Sequence, residues 1–251
     1  MGRNKFGIII LCTIVFFGLC VYLIKSNKKL MPEKINFLTE DKVTIIGDYY
    51  NAKSSRVALL LHMMPATKES WQAFAEGLLE KEISSLAIDL RGHGQSLDQI
   101  GQVLNYQNFG DLQHQASAKD VEAALTWLKN RGFKENNIAI VGASIGANLA
   151  LQEMGYKPEY KIVVAISAGS DYRGIQPAPF ISSYKSNQRI LFIASHEDTE
   201  SAIASQSFFD QTQAQKKLIM LDNAGHGTNI FLNSPQTLAD AISWLNLNLP
   251  K

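Results

Sequence analysis

Ser144 lies between Gly142 and Gly146 in "IAIVGASIGANLAL", Ile138 to Leu151, where an apolar run passes into a helix-like apolar pattern. A serine at so tight a corner suits one of two chemistries: a glycine-rich turn that brings backbone N–H groups to a phosphate, or a strained strand-to-helix elbow that exposes a nucleophilic hydroxyl. Phosphate loops carry G-x-x-x-x-G-K-[ST] or G-x-G-x-x-G, and neither surrounds this serine. Gly142-Ala143-Ser144-Ile145-Gly146 fits G-x-S-x-G, in which the residues two before and two after the serine crowd the turn and have to be small. The helix that follows would aim its first N–H groups at charge developing on a substrate oxygen. An ordinary strand–helix turn with a capping serine would carry the same five residues, so the rest of the chain has to decide.

The elements that must position such a serine are legible as alternation. "KINFLTEDKVTIIGDYY" reads as a hairpin turning at Glu40-Asp41. "RVALLLH", "SSLAID", "NIAIVGA", "KIVVAIS", "RILFIAS" and "KKLIML" are short, uniformly apolar runs that suit parallel strands covered on both faces. Helical patterns separate or follow them at Glu69–Glu82, Asp111–Asn130, Ile145–Gly155, Thr199–Gln215 and Pro235–Leu247. A hairpin followed by alternating strands and helices predicts an open α/β sheet, whose sites form at the carboxyl ends of the strands. That one edge would collect His62, Asp89, Ser144, Asp171, Glu197 with Asp198, and His226.

The order serine, acid, histidine along the chain, with "LLLH" at 59–62, "DLRGHGQS" at 89–96, "SHEDTES" at 195–201 and "NAGHGT" at 223–228, resembles the α/β-hydrolases over residues 35–249. The resemblance implies an α/β-hydrolase fold: a mostly parallel central sheet with an N-terminal antiparallel hairpin and helices on both faces. It implies Ser144 as nucleophile, His226 as the base that takes its proton and returns it to the leaving group, and Asp198 as the acid that orients the imidazole. Asp171, in "SAGSDYRG", is the alternative acid, and Asp222 would only shape the histidine loop. The oxyanion would be held by the N–H of Ile145 and by that of Met64. Here the chain departs from the family, which usually has His-Gly where this sequence has His62-Met63-Met64-Pro65. No cofactor or metal is implied, and no H-E-x-x-H or H-x-x-x-H spacing occurs among the five histidines. Of the others, His62 is expected under the oxyanion loop, His93 in a glycine-rich loop, His114 in solvent and His196 beside the acid. Only Gly169–Gln188 separate the fourth and fifth runs, too few for a helical cap, so the site should be open and favour short acyl groups. The expected reaction is hydrolysis of a small-molecule carboxylic ester through an acyl-enzyme. The alternatives are a thioesterase, lactonase or peptidase on the same triad, or a catalytically silent tethered binding protein.

Composition bounds the partners. Lys plus Arg number 24 against 23 Asp plus Glu, a formal net charge of +1 that offers no basic field for nucleic acid. The two cysteines, Cys12 and Cys20, both fall in the apolar stretch Phe6 to Ile24 and supply no disulfide framework. That stretch has 19 residues without a charge. As a helix it would be about 28 Å long, which predicts one transmembrane anchor. Arg3, Lys5, Lys25, Lys28 and Lys29 flank it as interfacial anchors. Residues 1–30 are therefore expected to form an anchor, or an uncleaved signal, with its linker. Residues 31–251 would form the catalytic domain, placed outside the cytoplasm because so short a tail stays inside.

Overall fold

The structure, a computed structural model, describes residues 31–251. The expected anchor Phe6–Ile24 and the rest of residues 1–30 lie outside the described residues. Among the described residues no helix is long and apolar enough to cross a membrane.

The hairpin forms as expected. β1 (Glu33–Leu38) pairs antiparallel with β2 (Val43–Tyr50), and the Thr39 hydroxyl closes the turn by donating to Asp41 Oδ1 at 2.6 Å. All six apolar runs are strands of one sheet: β3 (Val57–Leu61), β4 (Ser84–Ile88), β7 (Ile138–Ala143), β8 (Ile162–Ile166), β9 (Arg189–Ser195) and β10 (Gln215–Leu221). They run parallel in the order β10-β9-β8-β7-β3-β4, with β2 added antiparallel beside β4. Strand alternation divides the core: Val57, Leu59 and Leu61 face one apolar layer, Ala58 and Leu60 the other. Helices α3 (Ala118–Asn130), α4 (Ile145–Tyr156) and α6 (Thr199–Gln211) cover the first layer through Leu125, Leu149 and Phe208. The second is covered by α1 (Gln72–Leu79), α7 (Asn229–Asn233) and α8 (Pro235–Asn248), through Phe74, Phe231 and Ile242.

Five expectations are corrected. The helix expected over Asp111–Asn130 is two, α2 (Asp111–Gln115) and α3. Bonds from Ser117, Lys119 and Asp120 to residues three earlier tighten the chain between them, and His114 and Asp120 both end buried. The helix expected from Glu69 to Glu82 opens with a 3-10 turn over Lys68–Trp71 and stops at Leu79, and the one expected to reach Gln215 stops at Gln211. β10 is not covered on both faces: it is the edge strand, with Gln215 to Lys217 exposed and Leu218 to Leu221 half-buried. A small hairpin of β5 (Asp98–Gln99) and β6 (Gln102–Val103) extends β2 at the carboxyl edge of the sheet, where no strand was expected. A short helix α5 (Ala178–Ile181) is the largest element between β8 and β9, so no helical cap stands there.

Candidate active site

The strand order reverses between β3 and β7, and the loops that leave these two strands meet at the carboxyl edge. Ser144 follows β7 with φ 54° and ψ −121°, a backbone conformation that side chains rarely adopt. Its N–H donates to Ile166 O at 2.8 Å and its carbonyl accepts from Ala147 and Asn148, so the turn is bonded on both sides. The two glycines are steric necessities. A Cβ at Gly142 would collide with the carbonyl of Gly146, and one at Gly146 with the carbonyls of Leu61 and His62. That second contact also lays the loop after β3 against the start of α4. The N–H groups of Ile145 and Met64, the two expected oxyanion donors, have no acceptor among the described residues.

The loop carrying Met64 rests on a buried polar floor. His62, wholly buried, accepts the Leu90 N–H on Nε2 at 3.0 Å, so the proton lies on Nδ1 and is donated to Met63 O at 2.9 Å. Burial pushes its pKa down to about 4, which keeps the ring neutral. At the far end of the loop, Lys68 gives its backbone N–H to Asp89 Oδ1 at 2.8 Å and its ammonium to Asp89 Oδ2 at 3.1 Å, with both side chains fully buried. Gly94 is glycine because a Cβ there would strike the Asp89 carboxyl. His93 stacks on Tyr106 at 3.9 Å and donates towards Arg91 O, which fits its expected structural place.

The histidine loop is held differently. Asn223 and Gly225 donate their N–H groups to the Glu197 carboxylate, Ala224 to Ser195 Oγ at 2.9 Å and Gly227 to Ser167 Oγ at 2.8 Å. This leaves His226, with a side chain 36% exposed, turned so that Nδ1 meets Asp198 Oδ2 at 2.6 Å. The Ser195 hydroxyl and the Gly225 amide hold Glu197 down at a pKa of about 2. Tyr172 packs edge-on to the His226 ring at 6.3 Å and bonds Ser201 Oγ, while burial raises its pKa and the hydroxyls of Ser201 and Ser144 oppose that rise.

The structure thus joins His226 to Asp198 and sets Ser144 apart on its elbow; no hydrogen bond links Ser144 Oγ to His226 among the described residues. Asp171 is not at the histidine: its carboxylate is taken up within its own turn by the Gly174 N–H and Gln176 Nε2, each at 2.6 Å. Asp222 does not shape the histidine loop but pairs in solvent with His196 at 2.7 Å, and Glu197 does the shaping. His114, expected in solvent, is buried against Phe109. Ser167, Ser195, Glu197 and Tyr172 were not singled out as loop-holding residues from sequence. The visible signal was a serine closing each of "KIVVAIS" and "RILFIAS". Among the described residues no group of three or more His, Cys, Asp or Glu could hold a metal ion.

Residues 52–190, more than half of the chain, match the family described as serine aminopeptidase, S33. The chain belongs to this family of α/β-hydrolases. Its fold is shared with an esterase of Pyrococcus furiosus at 20% identity and a TM-score of 0.72, over 88% of this chain and 94% of that one. A dienelactone hydrolase from Anabaena variabilis is similar at 19% identity and a TM-score of 0.64, over 87% and 97%. Est1E from Butyrivibrio proteoclasticus, with ferulic acid bound, is similar at 13% identity and 0.69, over 86% and 98%. A comparison with curated proteins finds no match. As an S33-family α/β-hydrolase, the chain has the fold of a hydrolase.

Proposed function

We propose that the chain is a serine hydrolase that cleaves carboxylic esters with short acyl groups through an acyl-enzyme. Ser144 Oγ attacks the ester carbonyl as His226 takes its proton, and the imidazolium formed is stabilised by Asp198. The N–H groups of Ile145 and Met64 receive the oxyanion, and His226 returns the proton to the departing alcohol before water repeats the sequence on the acyl-serine. The observation that carries the reading is the strained Ser144 elbow at a helix N-terminus, where the N–H of Ile145, like that of Met64 in the neighbouring loop, has no acceptor among the described residues. The short-acyl preference rests on the segment Gly169–Gln188, which holds only a Tyr172–Ile175 bridge and the four residues of α5. Cleavage of a peptide bond beside a free amino terminus is the second reading, favoured by the description of the family. We further propose that residues 1–30 tether the domain of residues 31–251 to a membrane and hold it outside the cytoplasm, on the strength of the 19 uncharged residues from Phe6 to Ile24.

The test is a p-nitrophenyl ester series from acetate to palmitate on the full chain in detergent, beside an alanine p-nitroanilide. Turnover should peak at roughly two to six acyl carbons and vanish in Ser144→Ala. A maximum at palmitate would overturn the open-site argument. Faster cleavage of the anilide would favour the peptidase, and no Ser144-dependent turnover of either would leave a thioesterase, lactonase or silent binding protein. In the same assay Asp198→Asn should lose about 10⁴-fold and Asp171→Asn little.

A further inference from the structure

A cavity of about 460 Å³ opens between α1 and α7, lined by Met63, Ala66, Phe74, Thr228, Phe231 and Leu232. Its volume lies within the range of small-ligand pockets. Phe74 and Phe231 stack at 5.3 Å along it, and both belong to the apolar layer on this face of the sheet. The two carboxylates at its rim are turned to other partners: Glu69 takes the Lys68 ammonium and the Thr67 hydroxyl, each at 2.6 Å, and Glu76 takes Gln72 Nε2 at 2.9 Å. The interior therefore suits an uncharged apolar group.

Two contacts tie this cavity to the chemistry. Thr228 and Asn229, which line it, follow His226 by two and three residues. Met63, only 8% exposed, precedes the oxyanion donor Met64 and packs on Gly227, so closely that a Cβ at 227 would collide with Met63 Sδ. The thioether thus fills the seam between the loop that carries Met64 and the histidine loop, and it lines the cavity as well. Methionine is the apolar side chain best able to change rotamer and make way.

Resting on the esterase reading, we propose that this cavity is the subsite for the alcohol part of the ester and that Met63 determines how much of it a substrate can fill. The assignment to the alcohol follows from the proton. When the tetrahedral adduct collapses, the carbon–alkoxy oxygen bond breaks and its electron pair stays on that oxygen, which takes the proton from His226. The leaving group must then stand on the side of His226, from which the histidine loop runs on through Thr228 and Asn229 into the cavity lining. The substrate class is an ester of a short acid with an aliphatic or aromatic alcohol.

The experiment measures kcat/KM for ethyl, butyl, hexyl and 2-phenylethyl acetates on the full chain, with the p-nitrophenyl acyl series as the contrasting axis. Each methylene that reaches the cavity is worth about fourfold. Met63→Ala should raise the hexyl-to-ethyl ratio by about tenfold or more without moving the acyl length at which turnover peaks. Ala73→Trp, on the exposed rim, should lower the same ratio. A shift of the acyl optimum in place of the alcohol ratio, or a ratio unmoved by both variants, overturns the proposal. Binding of 2-phenylethanol to Ser144→Ala, read by calorimetry, separates the two readings. Binding that Ala73→Trp abolishes, in a chain that cleaves no ester, retains the cavity as an alcohol site and removes the esterase. Ester cleavage without any such binding does the reverse.

Discussion

Ser144 and His226 stand at one edge of one sheet, yet opposite means hold them. The elbow is held by volume: Gly142 and Gly146 leave no room for another atom, and the loop over them lies on a fully buried Lys68–Asp89 pair and a neutral His62. The histidine loop is held by acceptors, with the amides of residues 223, 224, 225 and 227 each satisfied by a side chain that β8 or β9 delivers. Steric holding tolerates no substitution, whereas holding by hydrogen bonds can be dismantled one bond at a time. The strained serine proposed as nucleophile needs the first, and the histidine proposed to pass a proton between two oxygens can be served by the second.

The largest effect should come from breaking the steric half. Gly146→Ala drives a Cβ into the carbonyls of Leu61 and His62, and should cost more than about 4 kcal/mol, read as a collapse of the urea midpoint or loss of soluble chain. Near-normal stability would mean that the elbow has slack. Ser167→Ala, on the other half, removes the acceptor of one buried amide and should cost about 1–3 kcal/mol. Its kcat should fall by roughly ten- to a hundredfold as His226 drifts, with KM little changed.

The smallest effect sharpens the contrast through pH. His62 and His93, beneath the loop that carries Met64, are kept neutral by burial with pKa values near 4, while an unfolded histidine titrates near 6.5. Between about 6.5 and 4 the unfolded chain binds more protons, so stability drains away as pH falls through that window. Asp120, raised to about 6 by burial, acts in the other direction between about 4 and 6. Glu197, lowered to about 2, has its stabilising charge fully present above the ordinary carboxylate range and loses it only as pH falls towards about 2. Mild acid should therefore loosen the elbow's floor before the histidine loop. His93→Phe removes one titrating ring and leaves Asp120 in place. Its Tm should fall less between pH 7 and 5 than that of the parent, by a few degrees, and equal slopes would remove His93 from this account.

How much of this was legible follows from the same contrast. Steric necessity writes itself into residue type, so Gly142, Ser144 and Gly146 could be read directly, as could β3, β4, β7, β8 and β9, whose central residues are buried on both faces. Acceptors do not: Ser167, Ser195 and Glu197 are ordinary polar residues whose partners lie 60, 29 and 28 or fewer positions away. The β5–β6 hairpin was hidden because each strand has two residues and its turn is Ile100-Gly101, with isoleucine at φ 50° where asparagine or aspartate would have signalled a turn. The covered β10 was over-read from "KKLIML", since an apolar run does not tell a central strand from an edge.

The left-handed Ser144 has a consequence for how the chain matures. A serine in that conformation costs about 1–3 kcal/mol, met only when β3 has docked beside β7 and Gly146 lies against it. A chain still assembling its sheet lets the residue relax into an ordinary turn, without the elbow that sets the hydroxyl at the helix N-terminus. On the proposed mechanism, hydrolytic competence arrives with completion of the central strands.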